Sequence, residues 1–190
     1  MKFLRTDLAG VIVIEPSVHR DPRGFFLETY HAPRFRENGI DATFVQDNHS
    51  GSVRGALRGL HVQVAPRAQA KLVRAVEGEV LDVAADVRVG SPAFGRSIAV
   101  LLSSENHRQL YIPPGFAHGF CVLSERAQVE YKCSEVYDPS CELAIAWNDP
   151  ELAIRWPVEE PILSGKDRAA PRLAEVRDRL PRYRPAQGGA

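Results

Sequence analysis

Apolar residues along this chain come in short runs, most of them four to eight residues long, broken by glycine, proline and charged turns. The run Gly10–Pro16, "GVIVIEP", is β-branched and closed by a proline. "GFFLETY" (24–30) follows the turn-forming "RDPRG", and "AKLVRAVEGEVLDVAADVR" (70–88) reads as two strands around Glu77-Gly78, a hairpin-like signal. "SIAVLLS" (97–103), "RQLYIPPG" (108–115), "HGFCVLS" (118–124), "AQVEYKCSEVYD" (127–138) and "LAIAWND" (143–149) continue the pattern. Helical signals are confined to "APRFRENGI" (32–40) and "RLAEVRDRL" (172–180). Many short strands at regular spacing predict an all-β sandwich or closed barrel with a few short peripheral helices. Strand alternation then assigns faces. Val129, Tyr131 and Cys133 share the more apolar face of their strand, which turns Tyr131 inward, and Lys71, Val73 and Ala75 share a face of theirs.

The 190 residues suit one domain, expected over 1–180, with 181–190 ("PRYRPAQGGA") as a loose tail. Twenty-four basic residues balance 24 acidic ones, which argues against a nucleic-acid or membrane-surface protein, so an anionic ligand must be held by a local cluster. Three cysteines (Cys121, Cys133, Cys141) without CxxC spacing read as reduced thiols. The start, "MKFLRTDLAGVIVIEP", lacks the apolar length and cleavage site of a signal peptide, and no run approaches a membrane span. The expected location is the cytoplasm.

Two stretches carry chemistry. In "RGLHVQVAPRAQAKLVRAVEG" (58–78), Gly55, His61 and the closing Gly78 form the frame of a metal-binding half-motif, and "YIPPGFAHGF" (111–120) keeps the P-x-G-x-x-H spacing of its second half through Pro113, Gly115 and His118. Both half-motifs resemble those of cupins, which makes a double-sheet jelly roll the expected architecture. The four ligand positions are filled by His61, Gln63, Lys71 and His118. An ammonium in a ligand ring repels a divalent ion and replaces it as the local positive charge, and two histidines are too few for a tetrahedral site. The expectation is therefore no metal and no cofactor, with proton chemistry in their place. The pattern also suggests that Arg58, His61, Gln63 and Lys71 lie on one strand pair.

The fuller set "QDNHS", "LRGLH", "KLV", "DVAADVR", "PPGFAHGF", "YKCSEVYD", "WNDP" and "LSGKD" closely resembles dTDP-4-dehydrorhamnose 3,5-epimerase and its relatives in deoxysugar biosynthesis, over about residues 1–175. Epimerisation beside a ketone needs a base, a group to hold the enolate, and an acid on the far side. His61 is a natural base near neutral pH, Lys71 can hold the oxyanion with His118 available to share that task, and Tyr131 is a phenol on the inward face. The resemblance implies that His61 is the base and Tyr131 the acid. It also matches Asp167 to the carboxylate that orients the base, although Asp167 also reads as a helix or turn cap, and Asp82 is a weaker rival for the orienting role. It further implies that Arg23, Glu28, Gln46, Asp47, Asn48 and Arg58 contact the nucleotide or sugar. Glu142 and Lys166 match further binding positions, and Tyr137 matches the residue that stacks on the thymine. Left to the residues alone, Arg23 reads equally as a turn residue and Glu28 as an exposed strand charge. In relatives the N-terminal region crosses to a partner subunit, which implies a two-fold homodimer with Arg23 and Glu28 serving the neighbour's site. The expected substrate is a dTDP-4-keto-6-deoxyhexose. The alternatives are a single-centre epimerase or ketoisomerase, a metal-dependent cupin oxygenase, and a non-catalytic sugar-nucleotide-binding module.

Overall fold

The computed structural model describes residues 1–184. Two antiparallel sheets face each other. The first has six strands: β1 (Lys2–Arg5), β2 (Ile12–Glu15), β10 (Gln109–Ile112), β7 (Lys71–Glu77), β12 (Arg126–Cys133) and β5 (Gln46–Val53), in that order. The second has five: β13 (Glu142–Ala144), β6 (Leu57–Gln63), β11 (Phe116–Val122), β8 (Glu79–Asp86) and β9 (Ser97–Ser103). This is the all-β double-sheet jelly roll expected from the half-motifs, with short helices at its edges. A separate ribbon pairs β3 (Val18–Asp21) with β4 (Gly24–Leu27).

Alternation builds three apolar layers. Between the sheets lie Val73, Ala75, Leu110, Ile112 and Val129 from the first, against Val80, Ala84, Phe116, Phe120 and Val122 from the second. The back of the first sheet (Ile12, Ile14, Leu72, Tyr111) is covered by Phe35 and Ile40, brought there by α1 (Ala32–Glu37) and the turn after it. The back of the second sheet (Leu60, Val62, Ala85, Ala117, Leu143) is covered by the C-terminal segment, with Leu173, Val176 and Leu180.

Several expected elements take a different form. The strands flanking Gly78 do not pair as a hairpin: β7 belongs to the first sheet and β8 to the second. Gly78, at φ 69°, is where the chain crosses between them, and a Cβ there would sit 2.0 Å from the Arg126 carbonyl oxygen. The sequence "RLAEVRDRL" forms a 3-10 helix over Leu173–Arg179, and "GFFLETY" is extended only to Leu27, in the outlying ribbon. The strand β5 was not marked by hydrophobicity, because only polar or small side chains alternate along it until Val53. Residues Arg182 and Tyr183, from the segment expected to be loose, pair with Val89. Residues 185–190 of that segment lie outside the described residues. No helix among the described residues is long and apolar enough to cross a membrane.

Candidate active site

The second sheet contributes both histidines. His61 on β6 and His118 on β11 are direct cross-strand partners. Arg58 and His61 stand three residues apart and would point to opposite faces of a regular strand. The register between β11 and β6 shifts between His118 and Phe120, and both Arg58 and His61 line the same cavity. The shift depends on close backbone approach. A Cβ on Gly59 would lie 2.6 Å from the Cα of Gly119, and Gly59 holds a φ of 120°.

The first sheet contributes Lys71 from β7 and Tyr131 and Cys133 from β12, with Cys133 and Lys71 cross-strand partners. His61 and Lys71 therefore do not share a strand pair, as the sequence pattern suggested. They meet across the space between sheets, because the chain changes sheet between β6 and β7. His61, Lys71 and Tyr131 line both lobes of the cleft, of about 370 and 290 Å³. Arg58, His118, Phe120, Lys166 and Asp167 line one lobe, and Gln46, Asn48, Gln63, Cys133, Tyr137 and Glu142 the other.

Each histidine is held by a buried carboxylate. His61 Nε2 is 2.6 Å from Asp167 Oδ1, which leaves Nδ1 as the nitrogen free to act. Asp167 meets His61 as the resemblance implied, but it is not the helix cap that the sequence also allowed, because Ser164 takes that position. Asp167 sits in the short helix α2 (Gly165–Arg168), donates its backbone N–H to the Ser164 hydroxyl at the N-cap, and accepts from that hydroxyl at 2.8 Å. Burial pushes the Asp167 carboxyl up, but His61 and Ser164 outweigh it and hold it below the ordinary carboxylate value. His118 Nε2 is 2.9 Å from Asp82 Oδ2, and Asp82 is fully buried with its Oδ1 unpartnered among the described residues. Asp82 thus holds His118 and not His61. The sequence signalled that Asp82 needs some partner, though not which one: alternation with Val80 and Ala84 puts it on the core face, where a carboxylate requires one.

Lys71 is partly buried and makes no ion pair among the described residues; its Nζ lies 5.7 Å from the Tyr131 ring centre. Burial lowers its pKa, and Cys133, Glu142 and Asp82 offset this only in part. Burial raises that of the Tyr131 phenol, so it keeps its proton to higher pH than a free tyrosine. Cys133, to which sequence gave no role, lines the cavity and accepts a weak hydrogen bond from Asn48 Nδ2 at 3.6 Å.

Gln63 is committed elsewhere. Its amide donates to the Arg67 and Val136 carbonyls and accepts from the Asp138 N–H, clamping the 136–138 loop. Gln46 Oε1 accepts from the Tyr137 N–H in the same loop. Among the described residues no group of three or more His, Cys, Asp and Glu is arranged to hold a metal ion.

Three expected binding residues lie away from this cleft in the single chain. Asp47 alternates to the outer face of β5 and pairs with Lys132 at 2.9 Å. Arg23 pairs with Asp21 at 2.6 Å on the exposed ribbon, and Glu28 pairs with Arg34 beside it.

Fold and cleft together define a cupin-like jelly-roll barrel whose ligand ring carries proton-handling groups. The family model described as dTDP-4-dehydrorhamnose 3,5-epimerase matches residues 5–175. The chain is 53% identical over 178 residues to dTDP-4-dehydrorhamnose 3,5-epimerase of Pseudomonas aeruginosa, covering 93% of this chain and 98% of that one. It is 43% identical over 190 residues to dTDP-4-dehydrorhamnose 3-epimerase of Streptomyces niveus, covering 98% and 92%. It superposes with a TM-score of 0.93, at 49% identity and over 96% and 98% of the two chains, on a dTDP-6-deoxy-D-glucose-3,5-epimerase from Legionella pneumophila in complex with dTDP-4-keto-L-rhamnose. The chain belongs to the dTDP-4-dehydrorhamnose 3,5-epimerase family and is an isomerase.

Proposed function

We propose that the protein inverts carbons 3 and 5 of dTDP-4-keto-6-deoxyglucose to give dTDP-4-keto-L-rhamnose. The observation that carries this reading is the opposition of His61, backed by Asp167 at 2.6 Å, to Tyr131 on the facing sheet, with Lys71 lining the space between. His61 Nδ1 takes the proton from the carbon beside the ketone, and the C–H electron pair moves into an enolate whose charge rests on the ketone oxygen. Lys71 Nζ, with His118 near it, stabilises that oxygen. The Tyr131 hydroxyl then returns a proton to the opposite face of the carbon, and solvent resets base and acid. Arg58 and Lys166 suit the diphosphate, and Tyr137, 52% exposed at the cleft mouth, suits the face of the thymine.

The test is proton NMR of dTDP-4-keto-6-deoxyglucose with the protein in heavy water. Deuterium should enter at carbons 3 and 5. Entry at carbon 3 alone would convert the assignment to a single-centre epimerase, the activity named for the Streptomyces niveus relative. No entry, from protein that still binds dTDP, would overturn it. Tyr131→Phe should separate the two halves of the reaction. Base-side deuterium exchange persists, while inversion falls about 10²-fold, the typical worth of one positioned acid. Equal loss of exchange and inversion would remove Tyr131 from the acid role.

The proposed assembly is a cytoplasmic homodimer in which Arg23 and Glu28 complete the partner's site. Support comes from the ribbon that carries Arg23, where Phe25 and Phe26 stand 58% and 72% exposed, an apolar surface of the kind that a second chain covers. Mixing Arg23→Ala with His61→Ala protein should give activity above the sum of the two, because one site of each hybrid is intact. Strict additivity after demonstrated subunit exchange would confine each site to one chain.

A further inference from the structure

A second carboxylate faces the base. Glu142 Oε1 lies 3.9 Å from His61 Nδ1, on the side opposite Asp167 and beyond hydrogen-bond reach. The separation is set by the β13–β6 pairing, which puts Glu142 opposite Gln63 and Ala144 opposite His61. The Glu142 side chain is only 14% exposed, and two groups at the cleft mouth occupy its other oxygen: Oε2 accepts from the Tyr137 hydroxyl at 3.0 Å and is paired with the Lys166 ammonium. Lys166, with a side chain 49% exposed, adjoins Asp167 in α2. One four-residue turn thus supplies one carboxylate that flanks His61 and grips the other through Lys166. The Tyr137 loop, in turn, is fixed by Gln46 and Gln63.

These contacts put the groups that meet the nucleotide and the group that meets the base on one carboxylate. We propose that Glu142 couples nucleotide occupancy to proton abstraction: in the free protein the Lys166 ammonium masks its charge, and a nucleotide phosphate that draws Lys166 away unmasks it beside His61 Nδ1. The unmasked carboxylate stabilises the imidazolium that forms when His61 takes the proton, so chemistry runs fully only with the nucleotide seated. Binding energy from a remote part of the substrate is then expressed in the rate of the chemical step, not only in affinity. The inference rests on the reading of His61 as the base.

The test divides the substrate at its diphosphate. Wild-type protein is given 4-keto-6-deoxyglucose 1-phosphate in heavy water, with and without thymidine 5′-monophosphate, and deuterium entry beside the ketone is followed by NMR. The nucleotide fragment should accelerate exchange about tenfold, the scale expected when one charge within about 4–6 Å is unmasked. Glu142→Gln should exchange slowly and gain nothing from the fragment. Lys166→Met, at an exposed position that leaves the fold intact, should exchange faster than wild type without the fragment, a gain that loss of a mere binding contact does not produce. The proposal is overturned if the fragment gives wild type no acceleration, if Glu142→Gln is accelerated as strongly as wild type, or if Lys166→Met shows no gain. Should Glu142→Gln fail to fold, the Lys166→Met arm decides alone. The intact dTDP-sugar is run alongside: absence of exchange there would remove His61 as the base, a different failure from absence of coupling.

Discussion

Replacing His61 by alanine is expected to reduce deuterium exchange and inversion together by about 10⁴-fold, the upper range for a positioned general base, while dTDP affinity stays near that of wild type. The two losses must coincide because proton removal precedes every later step. The cleft offers no ready substitute. Asp167 and Glu142 flank the same imidazole, but in the intact cleft their hydrogen bonds and charged partners outweigh burial and hold each below its ordinary carboxylate value, ionised and weakly basic. Asp167→Asn should produce a smaller loss of the same kind, on the order of 10²-fold, because the amide can hold the ring but cannot stabilise the imidazolium as a carboxylate does. Quench-flow kinetics on the dTDP-keto sugar, with dTDP binding measured by calorimetry, checks both variants. A His61→Ala protein retaining a tenth of wild-type exchange would move the base elsewhere in the cleft.

Much of this geometry was legible in the chain, for reasons tied to particular residues. Alternation alone turned Tyr131 inward beside Val129 and Cys133, because a period of two leaves a strand no other way to bury its apolar face. It also put Lys71 with Val73 and Ala75 on the core side. What alternation cannot reveal is which strands share a sheet. Glu77-Gly78 resembles a hairpin turn, but a glycine with positive φ serves equally well to carry the chain from one sheet to the other. The opposition of His61 and Lys71 depends on that distinction. Arg58 was named from its motif and not from alternation, because it reaches the cavity through a register shift beside Gly59 and Gly119, a local irregularity that periodicity averages away. Asp82 was readable as a core-face carboxylate, yet its pairing with His118 is set by the β11–β8 register, where Asp82 stands opposite Phe120. The positions of Arg23, Glu28 and Asp47 outside the cleft follow from ribbon and edge geometry, which the motifs containing these residues do not encode.

Lys71→Met is the second large effect expected, a fall in kcat on the order of 10³-fold with a much smaller change in KM, since an oxyanion holder acts where charge develops and little in the ground state. The pH dependence gives the sharper test. Lys71 acts as an ammonium, and burial lowers its pKa, so wild-type kcat should decline with rising pH earlier than an ordinary lysine of about 10.4 would dictate. Tyr131 acts as a protonated phenol, and burial raises its pKa, so the alkaline decline from loss of its proton comes later than the ordinary tyrosine value of about 10. The two shifts are opposite in sign, and the variants tell the two alkaline limbs apart, the Lys71 limb being the one lost with its ammonium. In Lys71→Met that limb should vanish, leaving a lower rate that stays flat until the Tyr131 limb. In Tyr131→Phe it should remain, read from deuterium exchange. If Lys71→Met keeps the wild-type alkaline limb at reduced amplitude, the titrating group lies elsewhere, and His118, which Asp82 holds toward the same cavity, becomes the principal holder of the enolate.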